Sequence, residues 1–153
     1  MKKISAGILL FRKNKQETEF FLVHFGGPFW KNKQEGAWSI PKGECEKDES
    51  LIETALREFK EETGFMAKGD LIALSPITQK NGKIVYAWAL AMDADPAKLT
   101  SNVVTVTLPS KKQIQFPEID RADWHTKAAA KKLIIPAQFA FIEELEKILA
   151  DKN

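Results

Sequence analysis

Glu58, Glu61 and Glu62 place three carboxylates at i, i+3 and i+4. On a helix, with about 100° per residue and Glu58 set at zero, Glu61 lies near 300° and Glu62 near 40°. The three therefore share one arc of roughly 100°. Like charges at these spacings oppose helix formation, and the macrodipole disfavours anions near a helix C-terminus. A helix that accepts both costs needs a compensating cation. Carboxylate oxygens are hard ligands, suited to magnesium or manganese rather than zinc. Such an ion bridges phosphate oxygens, neutralises them and activates water. The plain alternative is a solvated acidic helix face.

The surrounding spacing narrows the choice. Gly43, Glu49, Arg57, Glu58, Glu61, Glu62 and Gly64 fit G-x5-E-x7-R-E-U-x-E-E-x-G-U, with Phe59 and Phe65 at the apolar U positions. At average residue frequencies, a chance match in a chain this long is on the order of one in ten million. The pattern is identified as the Nudix box, so the chain resembles the Nudix hydrolases. The resemblance implies cleavage of a diphosphate linkage in a nucleoside-diphosphate-type compound, with Mg2+ as cofactor and Mn2+ able to substitute. It implies an α/β class chain with the Nudix fold, an α/β/α sandwich around a mixed β-sheet.

Site roles follow from the same resemblance. Glu58, Glu61 and Glu62 are the expected metal ligands, with a backbone carbonyl from Lys42 or Gly43. Arg57 and Glu49 are expected to pair and hold the loop before the helix. Many members place a further glutamate outside the box, and Glu118 is the candidate here. Glu58 or Glu118 would orient or deprotonate the attacking water, and the Lys42 ammonium is a candidate phosphate contact. The flanks Gly26-Gly27-Pro28-Phe29-Trp30, Trp38-Ser39-Ile40-Pro41-Lys42-Gly43 and Phe116 to Trp124 resemble a bacterial branch near the diadenosine tetraphosphate hydrolases. A dinucleoside polyphosphate is therefore the expected substrate. The rivals are a house-cleaning nucleoside triphosphate pyrophosphohydrolase, an RNA 5′-pyrophosphohydrolase and a nucleotide-sensing module that does not cleave. Trp30, Trp38, Tyr86 and Trp88 are the aromatic residues offered for stacking on a base, with core filling as their ordinary alternative. His24 and His125 lack metal-ligand spacing and read as structural.

These residues need elements to position them. Leu51, Ile52, Ala55, Leu56 and Phe59 recur at helical intervals, predicting a helix over 50–63. Its apolar stripe would run from about 20° to about 160°, with the carboxylates along one edge. Ser50 and Glu53 form a capping-box pair, and Gly64 is the expected stop. Strands are expected at 5–11 and 19–25, joined by a polar turn over 12–18. Asn81-Gly82 signals a hairpin between 71–79 and 83–92. Further strands are expected at 103–108 and 119–124, and helices at 126–132 and 137–150.

Composition sets the outer limits. The 153 residues fit a single domain over 1–153 with a sizeable core. A single cysteine, Cys45, excludes an internal disulfide and fits a reducing compartment. The early apolar stretch, Ala6 to Phe11, is too short for a signal peptide or membrane span, which points to the cytoplasm and away from membranes. The net charge is +2, yet 43–64 hold eight acids against three bases, a net −5 that leaves +7 elsewhere. An acidic nest in a basic surround suits a metal-bound small-molecule polyphosphate. Without a basic stripe it does not suggest duplex nucleic acid. Apolar strands and terminal helices fit either a dimer or an ordinary core.

Overall fold

The computed structural model describes residues 3–152. Strands β1 (Ile4–Asn14) and β2 (Glu17–Phe25) form a long hairpin. After it come β3 (Trp38–Ser39), β4 (Lys42–Glu44) and helix α1 (Leu51–Thr63). Next are β5 (Leu71–Ala73), β6 (Ile77–Thr78) and β7 (Ile84–Ala91). The chain closes with β8 (Val103–Thr107), β9 (Gln113–Pro117), β10 (Ile119–Thr126), α2 (Lys127–Leu133) and α3 (Phe139–Asp151). The main sheet runs β10-β2-β1-β7-β5. β1 and β7 are parallel and the other pairs antiparallel, so the sheet is mixed. No described helix is long and apolar enough to cross a membrane.

Both faces of the sheet are covered, so the central strands read as continuous apolar runs. Period-two alternation divides their side chains. Ala6, Ile8, Leu10, Phe21 and Val23 pack with Ala55 and Phe59 of α1. Leu9, Phe11, Phe20 and Leu22 pack with Phe141, Ile142 and Leu145 of α3. This is the sandwich expected from the resemblance.

β1 and β2 pair at their hairpin end, from Phe11↔Phe20 to Asn14↔Glu17. Farther along they part. β4 then pairs β1 at Ser5 to Gly7, while β3 pairs β2 at Val23 and His24. The short strands entering this splay carry the loop that leads into α1.

The sequence expectation departs from the structure in several places. The turn expected over 12–18 tightens to Lys15-Gln16, with Lys15 at φ 61°. Polar cross-strand pairs, including Arg12 Nε to Glu19 at 2.9 Å, extend both strands beyond their apolar cores. The strand expected over 71–79 breaks into β5 and β6. Between them Ser75 N–H bonds Glu144 of α3, and Pro76 has no N–H to donate. β9 was not expected, because its Gln-Ile-Gln-Phe-Pro is short and half polar. Among the described residues it pairs only with β8, as a separate two-stranded sheet. A 3-10 turn, Pro136–Gln138, precedes α3.

Candidate active site

Helix α1 is locally determined at both ends. Ser50 Oγ accepts from Glu53 N–H, the Glu53 carboxylate accepts from Ser50 N–H, and Gly64 closes the helix in the left-handed conformation at φ 80°. The buried face is rotated from the expected stripe. Ile52 and Leu56 are each 38% exposed, whereas Thr54, Ala55, Phe59, Glu62 and Thr63 are buried. The sheet contacts α1 along a line through Glu62, so this carboxylate sits within the packed face rather than at its edge.

Glu62 is 3% exposed. Among the described residues its carboxylate takes one hydrogen bond, from Lys42 N–H at 3.3 Å. Burial, then the nearby Glu118 and Glu58 carboxylates, raise its pKa well above the ordinary value. Glu58 is raised too, by burial first, although Arg57 opposes the shift. It accepts from Arg57 Nη1 at 3.0 Å. Its carboxyl group occupies the space a side chain at Gly43 would take, which explains the glycine in β4. Glu118 lies between β9 and β10 and accepts from Asn102 Nδ2 at 3.0 Å. The Lys42 pKa is lowered, by burial and then by Lys83, against the pull of Glu62 and Glu118.

Glu58, Glu62, Glu118, Lys42 and Gly43 line one cleft of about 1050 Å³. The same lining carries Gln79, Lys80, Asn81 and Lys83, together with Ser39, Ile40, Ile135 and Trp30. The exposed Glu61 is not on this lining and instead pairs with Arg57 at 3.3 Å. Arg57 binds Glu49 through Nε at 2.7 Å and Nη2 at 2.9 Å, and donates to the Glu44 carbonyl at 3.1 Å. Glu49 also accepts from Thr54 Oγ1 at 2.7 Å. These bonds hold its pKa down at about 2, Arg57 being the largest cause. This charge-assisted fork ties the loop before α1 to the helix.

Three of the four proposed stacking residues are placed elsewhere. Trp38 is 4% exposed, wedged between His24 and His125 with ring centroids 5.2 and 4.8 Å away. Its Nε1 donates to Gln34 Oε1 at 3.1 Å, so it is a core residue. Tyr86 and Trp88 lie on the α1 side of β7, half-buried against that core, and are not on the cleft lining. Trp30 remains, 37% exposed and 5.1 Å from the Phe25 ring. His24 is fully buried and joins Asp120 at 2.8 Å to the Lys33 carbonyl at 2.7 Å, fastening the loop that carries Trp30. Sequence reading passed over Gln79, Lys80 and Lys83. Their only signal was the basic Lys-Asn-Gly-Lys turn, whose place on one cleft with Glu58 and Glu62 exists only in three dimensions.

Donor chemistry decides whether a metal fits. A carboxylate as buried as Glu62 with one long hydrogen bond requires a proton or a nearby cation. Among the described residues no three acidic, histidine or cysteine side chains already converge at ligand distance, because Glu58 and Glu61 turn toward Arg57. The donor set of Glu58, Glu62 and Glu118 is all oxygen and fits a hard divalent cation.

A family model described as the NUDIX domain matches residues 1–145. A protein of Lactococcus lactis named "Probable DHNTP pyrophosphohydrolase" is 32% identical over 108 residues, covering 63% of this chain and 58% of its own length. The match thus spans under two thirds of that relative. A solved Caenorhabditis elegans Ap4A hydrolase binary complex superposes with a TM-score of 0.67 at 21% identity, covering 97% of this chain and 98% of that one. The NUDIX domain of Shewanella oneidensis NrtR, complexed with ADP ribose, gives 0.63 at 17% identity, over 100% and 90%. At such identities the structural likeness speaks for the fold alone.

Proposed function

The chain belongs to the Nudix family, and from that premise we propose that it is a metal-dependent pyrophosphohydrolase of nucleoside polyphosphates. The observation that carries this reading is the one cleft that Glu58, Glu62 and Glu118 share with Lys42, Lys80 and Lys83. Acidic and basic groups on one cleft suit a metal-bound polyphosphate. Glu58, Glu62 and Glu118 would hold a divalent cation, with Glu61 of the same helix able to join on release from Arg57. Such an ion, when bound, neutralises phosphate oxygens and lowers the pKa of coordinated water.

The remaining work belongs to the chain. Lys42 and Lys83 place positive charge where negative charge develops on the phosphoryl oxygens. Glu58 or Glu118 takes the proton of the attacking water as its oxygen bonds to phosphorus and the anhydride P–O bond breaks. The Glu58 pKa, raised by burial, brings that carboxylate closer to the basicity the task requires. Arg57 and Glu49 position the helix and its entry loop. Two smaller phosphorylated products leave.

A dinucleoside polyphosphate such as diadenosine tetraphosphate is our first choice of substrate, on the flanking sequence. A single-headed triphosphate is the second, favoured by the name of the Lactococcus relative. Magnesium-dependent turnover of diadenosine tetraphosphate, canonical and oxidised nucleoside triphosphates, DHNTP, nucleotide sugars and capped RNA would rank them. Glu58→Gln and Glu62→Gln should each lower turnover of the best substrate by roughly 10²–10⁴-fold with the fold intact. Near-normal turnover in both variants would overturn the assignment. Tight binding of a nucleotide without phosphate release would identify a sensing module instead.

A further inference from the structure

A buried chain of polar groups fixes the orientation of one amide on the cleft wall. Ile40 N–H donates to Gln138 Oε1 at 3.0 Å. A backbone N–H cannot accept, so this bond determines which end of the Gln138 amide is oxygen. Its Nε2 then donates to Ser39 Oγ at 3.0 Å and to Gln79 Oε1 at 2.9 Å, which uses both hydrogens. Ser39 passes its own hydrogen to the Ile40 carbonyl at 2.7 Å and is free to accept. Gln138 and Ile40 are fully buried, Ser39 nearly so, and Gln79 is 6% exposed. Every member of the network is satisfied except one end. The Gln79 oxygen is held by Gln138, while the geminal Nε2 has no partner among the described residues and Gln79 lines the cleft. The backbone is held as well, since Gln79 N–H donates to the Lys83 carbonyl at 2.8 Å and Gln79 O accepts from Gly82 N–H at 2.8 Å.

Apolar and basic residues share this lining with Gln79: Ile135 and Trp30 beside Lys80 and Lys83. Ile40 belongs to the same network, and Ile135, also on the cleft lining, accepts from Gln138 N–H through its carbonyl at 2.9 Å. A neutral donor held in one orientation suits an uncharged heterocycle, whereas the cationic Lys42 and Lys83 suit phosphoryl oxygens. We propose that Gln79 is a specificity-determining residue whose Nε2 donates to a carbonyl oxygen or ring nitrogen on the substrate's heterocyclic base, in a subsite that includes the half-buried Ile135. Gln138 is a positioning residue that denies Gln79 the flipped orientation. The proposal rests on the pyrophosphohydrolase reading only in requiring that the ligand carry a base.

Metal-free calorimetry on the full chain tests it, using the adenosine, guanosine, cytidine and uridine 5′-monophosphates with ribose 5-phosphate as the base-less control. The wild type should bind at least one nucleotide about tenfold tighter than ribose 5-phosphate. Gln79→Leu should remove about tenfold of that affinity and leave ribose 5-phosphate within about twofold. Gln79→Glu keeps an oxygen for Gln138 but presents an acceptor, so it should reorder the preference among the bases even if the leucine variant folds poorly. The subsite is refuted if the glutamate variant keeps the wild-type order of bases, if Gln79→Leu weakens ribose 5-phosphate as much as the nucleotides, or if the wild type binds no nucleotide better than the control. None of these outcomes bears on hydrolysis, which the Glu58 and Glu62 variants test separately.

Discussion

Glu62 concentrates the energetic conflict of the site in one side chain. Its carboxylate is desolvated, faces two other carboxylates and has one hydrogen bond from a backbone N–H. Because its folded-state pKa is raised above the unfolded value, the folded protein binds that proton more tightly. The wild type therefore loses stability as pH rises through the folded pKa and regains it as pH falls toward the unfolded value. Glu62→Gln removes the charge and keeps an acceptor for Lys42. In chelator at neutral pH it should melt higher than the wild type, by roughly 2–4 °C per kcal/mol recovered for a chain of this size. The difference should shrink as the pH is lowered into the carboxylate range, and thermal scans across pH would show it. A neutral-pH variant no more stable than the wild type would mean that Glu62 is already relieved of its charge. Spacing had placed Glu58, Glu61 and Glu62 on one helix arc. Spacing could not say that Glu62 would be covered while Glu61 stays open, since the covering strand is distant in sequence.

At the scale of the element, α1 and β4 are fitted to one another through a missing side chain. A Cβ at Gly43 would fall on the Glu58 carboxyl group, the mobile end of a flexible chain, whereas one at Gly7 would fall on the Pro41 carbonyl, which is backbone. Gly43→Ala should therefore fold and push Glu58 aside, cutting turnover by about tenfold or more at a modest cost in stability. Gly7→Ala should cost about 1–3 kcal/mol or more in stability, read by denaturant melts. Equal stability losses in the two variants would contradict this distinction. The loop entering α1 depends on the Arg57–Glu49 fork. Glu49 has its folded pKa depressed to about 2 from an ordinary 4.5, so its contribution is present above the ordinary value and is lost as pH falls through about 2. The wild type should hold a melting advantage over Glu49→Gln at pH 6 that has vanished near pH 2. The ends of this helix were legible because a capping box and a left-handed glycine are local signals. Its buried face was read less well, since Ile52 and Leu56 are apolar yet lie beyond the reach of the sheet.

On the scale of the whole molecule, a covered mixed sheet carries an acidic pocket within a chain of net charge +2. Association with a polyphosphate should lean on the basic surround, so kcat/KM should fall by roughly threefold or more between 0.05 and 0.5 M salt. Steady-state kinetics at fixed free magnesium would measure it, and a flat profile would show that the surrounding lysines serve solubility alone. The sequence by itself determined the reacting box, the capped helix that bears it, the β6–β7 turn and the apolar runs of the central strands. Each is written in spacings of a few residues, where backbone geometry fixes what neighbours can do. Tertiary structure alone decided that Trp38 belongs to the core, that Tyr86 and Trp88 pack against it, and that Trp30 lines the cleft. It also brought Glu118 beside Glu62, and Gln79 to Gln138 across 59 positions of sequence. Those outcomes depend on how β1 and β2 part to admit β3 and β4 and on which strand edges meet. Local periodicity can orient a face, but long-range pairing determines what covers it.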